Sequence, residues 1–175
     1  MRVIAGEYRS RRLMSLPGLE TRPTPDRLRE TLFNILAPMI EGTVFVDAYA
    51  GTGSVGIEAI SRGARHAVFI EKDREAVEAI KANLASLDIK SRGRIIRGAA
   101  ALHLASIDAD IVFIDPPYPK DKEYQAALDV LSAKPPALTI VQHSVRYAIP
   151  DDYEALVRTR TVRQGDNALS FFKAK

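Results

Sequence analysis

Two short segments of the sequence carry residues that could hold a ligand beside a reacting group. One is the glycine-rich segment 47–56, which begins at Asp47 and spells G-x-G-x-x-G. The other is Asp115-Pro116-Pro117-Tyr118, which follows the apolar residues 111–114. Glycines let a backbone approach a ligand closely, and carboxylates accept hydrogen bonds from hydroxyl and amino groups. These residue types predict a nucleoside-containing cofactor held next to an amino group.

The glycine-rich segment predicts the cofactor site. It lies between a buried apolar run and a helical pattern, which is the context in which G-x-G-x-x-G binds a nucleoside cofactor. Glu71 follows Gly51 by twenty residues, where a carboxylate can accept hydrogen bonds from ribose hydroxyls. A glycine turn used only for tight helix–strand packing is the alternative. The candidate cofactor-binding residues here are Asp47, Ala50, Gly51, Gly53, Glu71 and Lys72.

Asp47 distinguishes two kinds of cofactor. A dinucleotide places its pyrophosphate against such a loop, and a carboxylate four residues before the first glycine would repel it. S-adenosylmethionine has no phosphate, and its ammonium and sulfonium groups are cations that a carboxylate favours. We therefore expect S-adenosylmethionine as the cofactor. The alternative is that Asp47 only braces the loop.

The Asp115 segment predicts the catalytic site. Two successive prolines remove amide donors, so the carboxylate of Asp115 and the carbonyl of Pro116 remain as acceptors for an amino group. Tyr118 offers a flat face on which an extruded base can stack. An exocyclic amino nitrogen must become pyramidal to attack a methyl group, and two such acceptors favour that geometry. Asp115, Pro116 and Tyr118 are the candidate catalytic residues, although a rigid turn is the alternative.

The elements that position these residues form a repeated strand–helix pattern. Strands are predicted at 43–47, 67–71, 94–97, 110–115, 137–142, 153–163 and 168–173, and helices at 25–37, 54–62, 74–87, 99–105 and 123–133. The repeat predicts an α/β fold with a doubly wound, mostly parallel sheet, which ends in an antiparallel hairpin. Ligands of such sheets bind at the carboxyl ends of the strands. Asp47, Glu71 and Asp115 should therefore converge on one crevice.

The amino-terminal segment is basic. Residues 1–29 contain seven arginines and three acidic residues, a net charge of +4 in a chain whose total is +3. Residues 2–13 predict a short hairpin with an arginine-rich face, and Thr24 and Pro25 predict the start of helix 25–37 as its N-cap and first residue. Arginine suits phosphate groups, which predicts a polyanionic partner, although a solvated, solubilising end is the alternative. The candidate RNA-binding residues are Arg9, Arg11, Arg12, Arg22 and Arg27.

Composition limits the remaining possibilities. The chain has 175 residues, of which 46% are hydrophobic and 27% charged, as in ordinary globular proteins. It has no cysteine, which excludes disulfides, thiolate metal sites and a cysteine nucleophile. The three histidines lack metal-ligand spacing, and no stretch is long and apolar enough to span a membrane. We expect a monomeric, cytoplasmic protein without a metal, with an RNA-binding appendage at 1–38 and a catalytic domain at 39–175.

The motifs together resemble a known family. Asp-Pro-Pro-Tyr with Asp47-Ala48-Tyr49-Ala50-Gly51-Thr52-Gly53 is similar to the S-adenosylmethionine-dependent methyltransferases that modify amino groups of nucleic-acid bases. Arg2-Val3-Ile4-Ala5-Gly6, the segment 22–36 and Gly165-Asp166-Asn167-Ala168-Leu169-Ser170 resemble the RsmD family of guanine-N2 methyltransferases of small-subunit ribosomal RNA. This resemblance covers essentially the whole chain. It implies a seven-stranded, Rossmann-like class I methyltransferase sheet and a guanine substrate.

Two positions depart from the family pattern. After the third strand the family commonly carries Asp or Asn to bond the adenine of the cofactor, where this chain has Gly98-Ala99-Ala100. Backbone groups of Ala99 and Ala100 are the candidates for that contact. After the fifth strand, Gln142 stands where the family usually carries glutamate.

The sequence thus predicts an enzyme that methylates the N2 amino group of a guanine in 16S rRNA, free or in an assembling small subunit. Adenine-N6 methylation of DNA or RNA is the alternative within methyltransferases. A nicotinamide-dependent oxidoreductase and a noncatalytic RNA-binding module are more remote alternatives. Asp47 and the Asp-Pro-Pro-Tyr segment disfavour the first, and carboxylates at both strand ends disfavour the second.

Overall fold

The computed structural model describes residues 1–18, 25–117 and 121–175. The strands in this part of the chain are β1 (Val44–Asp47), β2 (His66–Glu71), β3 (Gly93–Arg97), β4 (Ile111–Ile114), β5 (Leu138–Ser144), β6 (Asp152–Tyr153), β7 (Leu156–Gln164) and β8 (Asn167–Ala174). The helices are α1 (Asp26–Leu36), α2 (Ser54–Ser61), α3 (Arg74–Ser86), α4 (Ala100–His103) and α5 (Asp121–Ala133). No helix among the described residues combines the length and apolarity that a membrane crossing requires.

All eight strands form one sheet in the order β3-β2-β1-β4-β5-β8-β7-β6. The strands β1 to β5 are parallel, and β8 runs antiparallel to β5 and β7. The order reverses at β1, because β2 lies on one side of β1 and β4 on the other. A doubly wound, mostly parallel sheet that ends in an antiparallel hairpin is therefore confirmed.

The sheet has eight strands where seven were predicted. The predicted strand 153–163 is divided, because Glu154 has a positive φ of 48° and the chain folds back between Tyr153 and Leu156. The short β6 that results pairs antiparallel with β7. The extra strand changes the edge of the sheet and leaves its carboxyl-end crevice unaffected.

Three other local predictions need correction. The predicted helix 99–105 is a four-residue helix, α4, followed by a 3₁₀ turn at Leu104–Ser106. Pro25 occupies the N-cap position of α1, so the helix begins at Asp26, and Thr24 lies outside the described residues. In the predicted hairpin 2–13 the antiparallel pairing is limited to a single bridge between Arg2 and Arg12.

Helices cover both faces of the sheet. Residues of α4 and α5 pack with Val46, Val68 and Val112 on one face. On the other face α1 and α2 pack against Phe45 and Phe113, and α2 and α3 pack against Phe69. Alternation along each strand sends neighbouring side chains to opposite faces. At the crevice, this alternation therefore determines which of the strand-end residues lie on the same face of the sheet.

Candidate active site

The crevice at the carboxyl ends of the parallel strands contains the predicted acidic residues. Asp47 is the last residue of β1, and Glu71 is the last residue of β2. Asp115 directly follows β4. Because β1 pairs in parallel with β2 and β4, the three residues lie at one edge of the sheet. The structure brings them together as the strand pattern predicts.

The loop after β1 is held by its glycines and by Asp47. The amide of Gly56 donates a hydrogen bond of 3.0 Å to Oδ2 of Asp47. A Cβ at Gly56 would lie 2.4 Å from the ring of Phe69, so only glycine lets α2 lie this close to β2. The carbonyl of Thr52 accepts a 2.9 Å bond from the side chain of Asn83 on α3. Both ends of the loop are therefore anchored to the surrounding elements.

Burial changes the acid strength of Asp47. Its exposed fraction is 2%, and loss of solvation raises its pKa from 3.8 to about 7. The hydrogen bond from Gly56 lowers the pKa, whereas the negative charges of Asp115 and Glu71 raise it further. Asp47 thus belongs to a cluster of carboxylates whose charges repel one another. A cation placed among them would relieve this repulsion.

Glu71 braces the same loop from β2. Its Oε2 accepts a 2.8 Å bond from the amide of Gly51, and its Oε1 accepts a 2.9 Å bond from the amide of Asp73. An ionised carboxylate has about four acceptor sites, so each oxygen can still accept a hydroxyl. Glu71 is half-buried and its neighbour Lys72 is exposed. The carboxylate therefore holds the loop and remains able to bind a ribose.

A pocket opens next to this carboxylate. Its wall includes four predicted cofactor-binding residues together with two side chains that the sequence did not single out; these are Glu71, Lys72, Ala99, Ala100, Tyr49 and Glu123. The predicted residues Asp47, Ala50, Gly51 and Gly53 do not line this pocket; Asp47 ends β1 and the other three lie in the loop that follows.

Tyr49 and Glu123 form a hydrogen-bonded pair in the pocket wall. The hydroxyl of Tyr49 donates to Oε2 of Glu123 at 3.0 Å. Burial and the negative charge of Glu123 raise the pKa of Tyr49 above its ordinary value, so the tyrosine stays neutral. Tyr49 lies within the glycine-rich segment, which was a usable signal. Glu123 lies on α5, and no local motif distinguishes it from other helix carboxylates.

The predicted catalytic segment turns away from β4 at the same edge. Asp115 is half-buried, Pro116 is buried, and Pro117 is exposed and contributes to the pocket wall. Because β1 and β4 are neighbouring strands, Asp115 lies near Asp47, and its charge raises the pKa of Asp47. Tyr118 lies outside the described residues.

The basic amino-terminal segment is attached to α2. Glu58, which is fully buried, accepts bonds from the amides of Ile4 and Ala5 at 2.9 and 3.0 Å. Gly6 crosses the end of α2 so closely that a Cβ there would lie 1.9 Å from the carbonyl of Ser61. Sequence reasoning did not identify Glu58, because nothing in its surroundings on α2 marks it as different from a solvent-facing glutamate. The segment is a fixed part of the surface on this side.

Four of the five predicted RNA-binding arginines can be located. The side chains of Arg9, Arg11, Arg12 and Arg27 are exposed, and Arg11 also donates a 2.8 Å bond to the carbonyl of Ser86. Arg22 lies outside the described residues.

Arg29, a further arginine of the basic segment, has a structural role. Arg29 is completely buried and donates a 2.7 Å bond to the carbonyl of Arg2. Burial lowers the pKa of Arg29 below its ordinary value, which the negative charges of Glu58 and Asp26 counteract. Arg29 thus ties α1 to the amino-terminal segment, and it offers no surface for phosphate.

Comparison with known proteins agrees with this geometry. A model of the family described as conserved hypothetical protein 95 matches residues 1–173. YlbH from Bacillus subtilis is 32% identical over 184 residues, which cover all of both chains. Ribosomal RNA small subunit methyltransferase D from Escherichia coli K12 is 43% identical over 122 residues, which cover 67% of this chain and 60% of that protein.

A solved structure extends the comparison to three dimensions. The structure of YhhF from Escherichia coli superposes with a TM-score of 0.87 at 30% identity, and the superposition covers 100% of this chain and 98% of that one. The fold, the glycine loop after β1 and the acidic strand ends thus agree with a match along the whole sequence. The chain belongs to the conserved hypothetical protein 95 family, which is the RsmD family of methyltransferases.

Proposed function

We propose that this protein transfers a methyl group from S-adenosylmethionine to the N2 amino group of a guanine in 16S ribosomal RNA. The observation that carries the proposal is the position of Asp115 and the Pro116 carbonyl at the end of β4, beside the carboxylate cluster and the pocket. The name of the Escherichia coli relative, a small-subunit ribosomal RNA methyltransferase, supports the choice of substrate.

The residues of the pocket fit S-adenosylmethionine. Glu71 has free acceptor sites for the two ribose hydroxyls, and Ala99 and Ala100 line the same pocket, where their backbone would bind the adenine. Asp47, Glu71 and Asp115 together favour a ligand that carries positive charge. A pyrophosphate would meet the same charges with repulsion, which argues against a dinucleotide. When bound, S-adenosylmethionine supplies an electrophilic methyl group on a sulfonium.

The catalytic work of the protein is to prepare the amino nitrogen. The lone pair of an exocyclic amine is delocalised into the ring, so the nitrogen must become pyramidal before it attacks. Asp115 and the Pro116 carbonyl accept hydrogen bonds from its two N–H groups, and the carboxylate stabilises the positive charge that develops on nitrogen. Asp115 need not be a strong base, because the methylated nitrogen loses its proton readily. The strand ends align nitrogen and methyl group for transfer.

The exposed arginines would hold the RNA outside this crevice. Arg9, Arg11 and Arg12 lie on the amino-terminal segment, and Arg27 lies on α1. Because that segment is fixed to α2 through Glu58, its charges keep a constant position relative to the strand ends. Phosphate contacts there would orient the RNA while one extruded base enters the crevice.

Mass spectrometry of ribosomal nucleosides tests the proposal. The 16S rRNA of cells that lack this protein would be compared with that of the same cells supplied with the wild-type protein or with the Asp115→Ala variant. We expect N2-methylguanosine to return only with the wild type. Return of N6-methyladenosine instead would identify adenine as the substrate, and no change in any methylated nucleoside of 16S rRNA would reject the proposal.

A further inference from the structure

Near the catalytic segment, the structure contains a buried side-chain amide whose oxygen has no hydrogen-bond partner among the described residues. Gln142 lies near the end of β5 with an exposed fraction of 6%. Its Oε1 is inaccessible to solvent and has no hydrogen-bond partner within the described residues. An unpaired buried acceptor destabilises a fold, so a position that keeps one needs an explanation. Binding of a ligand that supplies the missing donor is such an explanation.

The strand pairing places this amide next to Asp115. Ile114 of β4 pairs in parallel with Val141 of β5, so Asp115 and Gln142 occupy the next position on their strands. Alternation directs both side chains to the α1–α2 face of the sheet, the face on which Asp47 receives the amide of Gly56. Parallel neighbours are about 4.8 Å apart, which is close enough for the two side chains to contact the same base edge.

The contacts of its neighbours fix Gln142 in this position. The Gln142 carbonyl accepts a 2.9 Å bond from the hydroxyl of Tyr124, and the Tyr124 ring stacks on Tyr147 with centroids 4.8 Å apart. On the opposite face, Nε2 of His143 bonds Oγ of Ser170 at 2.8 Å. The backbone at Gln142 and the side chain of His143 are therefore held, and Oε1 of Gln142 remains without a partner in the described chain.

We infer that Gln142 reads the edge of the target base and selects guanine, an inference that rests on the proposed function. With the N2 amino group held by Asp115, the neighbouring ring position of guanine presents N1–H and then O6. The Oε1 of Gln142 accepts N1–H, and its amide N–H donates to O6. Adenine offers an unprotonated N1 and no carbonyl, so it cannot make this pair of bonds. Gln142 is therefore a specificity residue that contributes no group to methyl transfer itself.

The test replaces the target base and the amide in turn. In the first step, the wild-type protein methylates 16S rRNA that does not carry the methyl group added by this protein, and the nucleotide that becomes methylated is located. That nucleotide is then replaced by 2-aminopurine, which keeps the 2-amino group and lacks both N1–H and O6. We expect kcat/KM for guanine to exceed that for 2-aminopurine by about tenfold or more in the wild type, as for other two-bond base contacts.

The variants separate base reading from packing. Gln142→Met and Gln142→Leu lack the acceptor and should bring this ratio close to one, while Gln142→Glu can still accept N1–H and should keep a preference for guanine. Thr139→Val is the matched control. Thr139 lies on the same strand, is completely buried, and also has a side-chain oxygen without a partner in the described chain. It differs from Gln142 because it faces the other side of the sheet. It should keep the wild-type ratio.

The outcomes are distinguishable. The inference is overturned if Gln142→Met and Gln142→Leu keep the wild-type ratio, if the wild type does not discriminate between the two bases, or if Thr139→Val loses the ratio as well. A first step that yields a methylated nucleoside other than N2-methylguanosine rejects the proposed function instead.

Discussion

The carboxylates at the strand ends carry two separate tasks that their sequence positions do not reveal. Asp47 accepts the amide of Gly56 and Glu71 accepts the amide of Gly51, so both shape the loop after β1. Asp115 lies beyond the loop, directly after β4, where we propose that it acts in methyl transfer. Burying several like charges together is costly, and the raised pKa of Asp47 is the measurable consequence.

Replacement of Asp47 by asparagine should make the protein's stability less dependent on pH. The Asp47 carboxyl has a pKa of about 7 when folded and an ordinary value of 3.8. Between these values the unfolded chain has lost the proton that the folded chain keeps, so the stabilisation is complete below about pH 4 and is lost as pH rises to about 7. Wild type should lose at most about 1.4 kcal/mol per pH unit relative to Asp47→Asn in this range.

Urea unfolding of the cofactor-free proteins at pH 4.5, 5.5, 6.5 and 7.5, values that span roughly the range between the two ionisation states, measures this difference. Asparagine can still accept the Gly56 amide, so the comparison isolates the charge. A constant difference between the two proteins at all four pH values would show that Asp47 is ionised throughout.

Replacement of Asp115 by alanine should abolish most methyl transfer while the fold remains. The variant loses an acceptor whose hydrogen bond strengthens as charge develops on the nitrogen, and kcat should fall by about a hundredfold to a thousandfold. Asp115→Asn keeps one acceptor and should retain partial activity. Turnover at saturating RNA and S-adenosylmethionine measures the effect, with calorimetry of cofactor binding as control. Wild-type turnover in Asp115→Ala would mean that the segment is only a turn.

Helix α2 links the cofactor loop to the amino-terminal segment. Near the amino end of α2, the amide of Gly56 donates a hydrogen bond to Asp47. In its carboxyl half, the side chains of Glu58 and Ser61 accept hydrogen bonds from backbone amides of residues 4–8. Glu58 also binds Nε of Arg62 at 2.9 Å, and the Arg62 guanidinium lies over the ring of Phe33 on α1. One short helix thus sets the distance between the proposed cofactor site and the basic surface.

Replacement of Glu58 by alanine should release the amino-terminal segment. The change removes a buried charge that pairs with Arg62 and leaves the amides of Ile4 and Ala5 without an acceptor. Breaking a buried pair on one side costs about 3–5 kcal/mol of unfolding free energy. Urea unfolding measures the loss, and hydrogen exchange should show reduced protection at residues 4 and 5. Glu78→Ala is the control, since Glu78 is exposed and pairs with Lys81 on the surface of α3.

An unchanged exchange rate at residues 4 and 5 in Glu58→Ala would contradict this role for α2. It would mean that the packing of the buried Val3 and Leu13 holds the segment without the carboxylate.

On the scale of the whole molecule, the surface that we propose for RNA contact is separate from the proposed catalytic crevice. The carboxylates of Asp47 and Glu71 lie at the carboxyl ends of β1 and β2, whereas the exposed Arg9, Arg11 and Arg12 lie on the amino-terminal segment. Cationic side chains that neutralise phosphates release counterions, which makes binding depend on salt. The crevice itself carries the opposite charge and should contribute little to that dependence.

Replacement of Arg9, Arg11 and Arg12 together by alanine should weaken RNA binding and flatten its salt dependence. Each lost phosphate contact reduces the slope of log K against log salt by about 0.7–0.9. Affinity for S-adenosylmethionine should change little. Filter binding of 16S rRNA over a salt series measures the slope, and Arg160, Arg163 and Lys173, which are exposed on the terminal hairpin, provide a control triple with equal charge. Equal salt-dependence slopes for the two triple variants would mean that the segment is only a solubilising surface.

Much of this protein follows from periodicity and short motifs, because these are local properties. The repeated strand–helix pattern predicts the doubly wound sheet, and the strand bounds follow the apolar runs within a few residues. Carboxylates at strand ends predict one crevice, since parallel strands all end at the same edge. Asp47, Glu71 and Asp115 were therefore accessible from the sequence.

Contacts between segments that are distant in the sequence could not be predicted from these local patterns. Glu58 and Arg29 look like surface charges on helices, and their burial arises only when the amino-terminal segment lies across α1 and α2. The division of residues 153–163 depends on a backward turn at Glu154 that apolar patterning does not encode. Gln142 lies next to Asp115 only because β4 and β5 are adjacent in the sheet, although α5 separates them in the chain. Burial and pairing are properties of neighbours in space, and local sequence carries little information about them.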